Sequence, residues 1–296
     1  MKEEAQAHWR PPRSRWPLAR RSPHVRLYAE SSLTKANLAA GADKFERLIA
    51  EAQSQKFSGW DFSWLWGRLV EEAPPWDFRR SVELELPRVK SLLDLGTGGG
   101  EFLSSVEPLP RQTYVTEGYP PNATIARDRL RPLGIDVVQT YAEDNTVRPQ
   151  SGALPFRTGT FDMVIDRHES FVAREVRRVL KRGGIFLTQQ VGSPNLPELN
   201  EFLGAPKAEA VWDLRVAKRQ VEEAGLRVTA SREARLESRF RDIGAVVFLL
   251  LAVPWQVEGF SVNDYLDKLR ELHGLMVRTG SFRVTARRFY IRSIKR

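Results

Sequence analysis

From Val89 onward, short apolar runs alternate with stretches that place apolar residues every three to four positions. The runs are SLLDL (91–95), TYVTE (113–117), IDVVQ (135–139), FDMVID (161–166), IFLTQQV (185–191), LRVTA (226–230) and FRVTARRFYIRSI (282–294). Apolar, β-branched runs of this length bounded by turn formers are the signature of strands. Their alternation with helical spacing predicts an α/β fold with a seven-stranded, mostly parallel sheet and helices on both faces. The last run alternates with period two and is studded with arginine, so it is expected as an edge or antiparallel strand with one wet face.

The same reading places helices. From Thr34 to about Gln55, Leu38, Phe45, Leu48 and Ile49 follow a helical repeat. From Val172 to Lys181, Val172, Val176, Val179 and Leu180 fall on one side and Arg174, Arg177, Arg178 and Lys181 on the other, a solvated basic face. Gly183 and Gly184 are expected to end that helix. Ser261 to Asp264 has the spacing of an N-terminal cap. The longest apolar run, Ile243–Val253, is too short for a membrane span, which takes about 20 residues, and is expected as a buried element. An aromatic segment carrying Trp60, Trp64, Trp66 and Trp76 is expected to pack a lid or helix against the sheet.

Composition narrows the class. The chain has 296 residues, enough to bury a core without crosslinks. It has no cysteine, which removes disulfides, thiolate metal ligands and cysteine nucleophiles and fits a reducing, cytoplasmic setting. His8, His24, His168 and His273 lack ligand spacing, so no metal site is expected. Of the net charge of +9, +4 falls in the first thirty residues and +5 is spread over the other 266. In that head Lys2, Arg10, Arg13, Arg15, Arg20, Arg21 and Arg26 face only Glu3, Glu4 and Glu30. With four prolines and no continuous apolar stretch, the head is no secretory signal. The expected organisation is a basic, Pro/Arg-rich flexible arm (1–33), a helical, Trp-rich lid (34–87) and a main domain (88–296) with cap elements at about 195–280.

The sharpest chemical signal is LLDLGTGGGEFL (92–103), an apolar strand entering a glycine turn expected to open a helix. Gly96, Gly98 and Gly100 let backbone N–H groups approach a ligand at the carboxyl edge of the sheet. In a dinucleotide fingerprint the third glycine stands where this chain has Glu101. Asp94 and Glu101 bracket the loop; two carboxylates repel a pyrophosphate but suit a ligand with an ammonium and a sulfonium. Glu101 has a blander alternative, a solvent-facing acid favoured by the helix dipole. Glu117 ends the second strand at the spacing of an acid that accepts from ribose hydroxyls.

These residues, with VTEGYPPN (115–122), LPFRTGTFDMVIDRHES (154–170) and EVRRVLKRGGIFLTQQ (175–190), resemble class I S-adenosylmethionine-dependent methyltransferases with a Rossmann-like sheet, over about residues 88–232. The resemblance implies S-adenosyl-L-methionine as cofactor. Gly96, Thr97, Gly98 and Gly100 would line its methionyl and adenosyl groups, with Asp94 near the ammonium. Glu117 would hold the ribose hydroxyls, Gly118 and Tyr119 would flank the adenine, and Asp144, or else Glu143, would meet the adenine amine. About ten residues separate that acid from LPF, where the family commonly has a short link.

Methyl transfer from a sulfonium is a direct displacement, so alignment in a dry pocket matters most, and a base is needed only if the acceptor must lose a proton. His168 and Glu169, directly after the fourth strand, are the candidate catalytic residues, with Gln189 and Gln190 as possible positioning groups. The run 243–253 followed by VPWQVEGF faintly resembles bacterial 23S rRNA guanine-N1 methyltransferases, whose cysteine zinc module this chain cannot build. A small-molecule acceptor is favoured over RNA bound through the basic arm, because no RNA-binding module is recognisable. No membrane partner is expected. A noncatalytic S-adenosylmethionine-binding regulator is the reading from a different class.

Overall fold

The computed structural model describes residues 35–58, 60–140, 153–205 and 211–296, with backbone alone for 35–43. The arm at 1–33 and the adenine-site candidates Glu143 and Asp144 lie outside the described residues. The chain divides into two units, Met1–Ala40 and Gly41–Arg296. The described part of the first is the backbone that opens helix α1 (Lys35–Ser54). The second contains the whole sheet.

That sheet has eight strands: β1 (Leu69–Glu71), β2 (Ser91–Leu95), β3 (Gln112–Glu117), β4 (Asp136–Gln139), β5 (Phe161–Arg167), β6 (Leu180–Val191), β7 (Leu226–Phe240) and β8 (Phe282–Lys295). Their order is β1-β7-β8-β6-β5-β2-β3-β4. Strands β4, β3, β2, β5 and β6 are mutually parallel, and β8 runs antiparallel between β6 and β7. The predicted Rossmann-like sheet with an antiparallel last strand is therefore present. The extra strand, β1, pairs antiparallel with the far end of β7, Leu69 opposite Phe240, and is too short to carry a periodic signal.

Each face is covered by helices. On one, α4 (Ala173–Val179) and α6 (Leu214–Glu223) bury Val176, Val179, Ala217 and Val221 against Leu93, Val164, Phe186 and Phe289. On the other, α2 (Phe78–Glu85) and α3 (Pro120–Leu130) bury Phe78, Val82, Ala126 and Leu130 against Leu92, Val115, Met163 and Leu187. A third cluster lies around the distal part of the β7–β8 hairpin, where α5 (Pro197–Leu203), α7 (Ile243–Ala252), α8 (Leu266–Thr279) and the end of α1 meet. The apolar run at 243–253 is α7, with apolar residues on every side because it is buried nearly all round. Side-chain caps start α2, α6 and α7: Asp77 accepts from Arg80 N (2.9 Å), Asp213 from Val216 N (2.8 Å) and Asp242 from Ala245 N (3.0 Å).

Three local expectations are corrected. The glycine turn opens no α-helix: one 3₁₀ turn, Leu103–Ser105, follows it, and Pro108 and Pro110 leave no room for more before β3. The helix at 172–181 stops at Val179, and Leu180 already pairs with Phe161. Lys181 and Gly183 belong to β6, where the register shifts and Gly183 turns at φ +79°. Strand β7 runs ten residues beyond LRVTA, because in SREARLESRF the buried Leu236, Ser238 and Phe240 alternate with outward Arg235 and Arg239.

Candidate active site

Chain progression reverses between β2 and β5, with β3 and β4 on one side and β6 on the other. The crevice above such a point, at the carboxyl ends of the strands, is where open α/β sheets take ligands. The glycine turn lies there. Gly96 and Gly98 have φ of +59° and +62°, a left-handed conformation that a side chain resists. The turn is tied to β3: Thr97 N donates to Thr116 O (2.9 Å), and Gly98 N to Glu117 Oε2 (2.7 Å). The other oxygen of Glu117 accepts from Tyr119 N (2.8 Å).

A Cβ at Gly96 would overlap the Glu169 side chain, and one at Gly98 would lie 2.8 Å from Trp60 Cδ1. The bare backbone is therefore a cradle, already touched by a carboxylate arm and an indole. A small open cleft adjoins it, bordered by Gly96, Gly118, Thr140, Leu154, Glu169 and Phe171. Gly118 lines the cleft, whereas Tyr119 is outside its lining and 60% exposed. Glu101 pairs with Arg129, which also donates to the Gly99 carbonyl, and a Cβ at Gly99 would overlap the Glu101 carboxylate, so this acid stays beside the turn.

Four carboxyl groups gather at these strand ends. Asp94 is almost fully buried, and burial pushes its pKa up to about 7. Burial also raises Glu117, against the backbone donors that hold its charge. Glu169 reaches about 7 for the same reason, with Ser170 N (2.9 Å) on Oε1 as its opposing donor. Asp166 is held well above the carboxylate range by burial and then by the charge of Glu169. Its Oδ1 accepts from Gln190 Nε2 (3.0 Å) and Glu169 N (3.1 Å), while its buried Oδ2 has no partner among the described residues.

His168 follows β5 with φ +69°, unusual for a residue with a side chain, held by its N–H on Gln189 O (2.8 Å). His168 and its neighbour Arg167 are both exposed. Desolvation, then the charges of Arg288 and Arg167, hold its pKa down to about 3. Gln189 bridges Trp76 and His168: it accepts from Trp76 Nε1 (2.8 Å), and its Nε2 is 3.1 Å from His168 Nε2. Gln190 instead braces the opposite face through Asp166, Thr188 and the carbonyl of Glu169.

The structure thus brings Asp94, Gly96, Gly98, Glu117, Gly118 and Glu169 to one crevice. Sequence reasoning missed Asp166 and Arg167, although both stand inside the DRHES motif at the end of β5. It read Trp60 and Trp76 as packing rings in preference to a substrate-binding role; their contacts with Gly98 and Gln189 have no sequence signal.

Residues 93–188, which contain this crevice, match the family model of a methyltransferase domain. Over that stretch the chain is similar to methyltransferase domains. Over a 125-residue stretch, 38% of this chain, it is 30% identical to the uncharacterized methyltransferase YcgJ of Bacillus subtilis (strain 168). The match spans 45% of that curated relative's length. The methyltransferase-domain fold is shared with a candidate methyltransferase of Bacillus halodurans C-125. That likeness has a TM-score of 0.53 at 15% identity and covers 74% of this chain and 98% of that one. Among the described residues, no helix is long and apolar enough to cross a membrane, and no His, Cys, Asp or Glu cluster could hold a metal ion.

Proposed function

We propose that the chain transfers a methyl group from S-adenosylmethionine to a small-molecule acceptor. The observation that carries this reading is the bond between Glu117 and Gly98, which places a buried acid from the end of β3 directly beside the bare-backbone turn. That pairing fits an adenosyl ligand: each carboxylate oxygen keeps a lone pair for a ribose hydroxyl. Gly96, Thr97, Gly98 and Gly118 would border the rest of the cofactor, with Asp94 beneath the turn. When bound, S-adenosylmethionine supplies a methyl carbon made electrophilic by its sulfonium.

The chain's own groups supply alignment and, for an amine or hydroxyl acceptor, proton removal. Glu169 suits the second task, because a carboxyl titrating at about 7 is partly ionised at neutral pH and still basic enough to accept a proton. His168 does not: at about 3 its ring is a weak base, and it serves as a neutral hydrogen-bonding group. Glu169, His168, Gln189 and Arg167 are gathered at the ends of two adjacent strands, a footprint suited to one small ligand rather than a polymer. Transfer of labelled methyl to a panel of small amines, hydroxyls and acids tests the reading. Glu169→Gln is expected to reduce transfer at least a hundredfold while binding S-adenosylhomocysteine within a few fold of wild type. Absence of transfer to every member, with total RNA accepting instead, contradicts the small-molecule assignment.

A further inference from the structure

The ends of β5 and β6 also present a group of hydrogen-bond donors that lies outside the donor cleft. Arg167 closes β5 in register with Gln189 of β6, and its guanidinium stands 5.2 Å from the centroid of the Phe102 ring. Among the described residues it makes no ion pair or hydrogen bond, whereas the neighbouring arginines are engaged. Arg288 binds Glu71 (2.8 Å) and Asn195 (3.1 Å), and Arg79 binds Ser105. Burial lowers the pKa of Arg167; the charge of Asp94 opposes this, and the charges of Arg79 and Arg288 add to the lowering. The acid whose charge acts on it most, Asp94, makes no hydrogen bond or ion pair with it.

The Trp76–Gln189–His168 chain adds a second donor by a proton count. An indole N–H can only donate, so Gln189 must turn its carbonyl oxygen to Trp76 and its amide N–H to His168. His168 Nε2 is therefore the acceptor, and in the neutral ring the proton sits on Nδ1. That Nδ1–H has no partner among the described residues, and His168 is an exposed residue. The left-handed backbone of His168 maintains this arrangement against strain of the kind found at ligand clamps. Arg167 and His168, consecutive and both exposed, thus offer a guanidinium fork without a hydrogen-bond partner among the described residues and a neutral N–H.

We infer that these two adjacent, exposed residues at the end of β5 bind an anionic oxygen group of the methyl acceptor, a carboxylate or a phosphate, with Arg167 as the principal ligand and His168 Nδ1–H as the second donor. A guanidinium fork matches two oxygens of either anion, and such charge-assisted bonds are the stronger class. The inference rests on the methyltransferase reading only in calling the ligand an acceptor; the anion site itself is independent of it.

The test uses benzoate, phenyl phosphate and benzamide as probes, titrated at low chloride into the full-length protein by ligand-observed NMR. At least one anion is expected to bind ten times or more tighter than neutral benzamide, and the tighter one distinguishes a carboxylate from a phosphate. Arg167→Gln is expected to erase that preference while keeping the wild-type melting temperature within a few degrees. The same anion is also expected to shield Arg167 from phenylglyoxal in the wild-type chain, read by peptide mass spectrometry, which keeps the test open should the variant not fold. Equal binding of all three probes, a preference that survives Arg167→Gln, or unshielded Arg167 would overturn the inference. Binding of S-adenosylhomocysteine, measured on the same samples, reports separately on the donor site.

Discussion

The Glu117 carboxylate accepts the backbone N–H of Gly98 at 2.7 Å, joining the end of the second parallel strand to the turn that leaves the first. Two donors, Gly98 N and Tyr119 N, share this one side chain, one on each oxygen. In Glu117→Gln an amide NH₂ must face one of those N–H groups. The variant is therefore expected to lose about 1–2 kcal/mol of stability and at least tenfold in S-adenosylhomocysteine affinity. Urea denaturation and calorimetry measure the two effects, and an unchanged affinity would remove Glu117 from the donor site.

Gly98→Ala tests the cradle by sterics. An alanine there must hold a φ of +62°, and its Cβ would lie 2.8 Å from the Trp60 ring. The backbone term alone is about 1–2 kcal/mol. A combined Trp60→Ala, Gly98→Ala protein is expected to recover the steric part and not the backbone part, giving non-additive thermal shifts in a double-mutant cycle. Strictly additive shifts would mean that the two residues do not touch in solution.

The proton count at His168 is open to spectroscopy. Nitrogen-15 shifts of the imidazole are expected to report the Nδ1–H tautomer and no titration between pH 5 and 8, because the ring is held to about 3. Trp76→Phe removes the donor that orients Gln189 and is expected to mix the tautomers. Titration of wild-type His168 near 6.5 would show that its surroundings do not hold it neutral.

The buried carboxyls make the free protein sensitive to base. Asp94 titrates near 4 when unfolded and at about 7 when folded. Between those values the folded state therefore binds more protons, and this contribution to stability is full below pH 4 and lost as pH rises to 7. Asp94→Asn is expected to stabilise the ligand-free protein by on the order of 2 kcal/mol at pH 8, with the gain fading toward pH 4. Melting curves across that range check the sign; a gain larger in acid would reverse it.

Most of the sheet was legible in the chain because buried parallel strands must be apolar over their length, as SLLDL and FDMVID are. The second half of β7 was not, since each inward Leu236 or Phe240 is flanked by arginine or glutamate on a wet face. Likewise Gly96, Gly98 and Glu117 were readable as a motif, because a left-handed turn demands glycine and a strand end places the acid. Arg167 carries no such mark. Its character comes from what surrounds it, Phe102 from the loop after β2 and Arg288 from a strand more than a hundred residues away, and only folding brings these together.

The central claim is that the turn at Gly96–Gly100 cradles a methyl-donor nucleoside. Calorimetry on ligand-free protein with S-adenosylhomocysteine and NAD as alternative titrants tests it most directly. Saturable one-to-one binding of S-adenosylhomocysteine, abolished in Gly96→Val and Glu117→Ala proteins that still melt cooperatively, is expected, with no heat from NAD. Tight NAD binding and silence toward S-adenosylhomocysteine would contradict it.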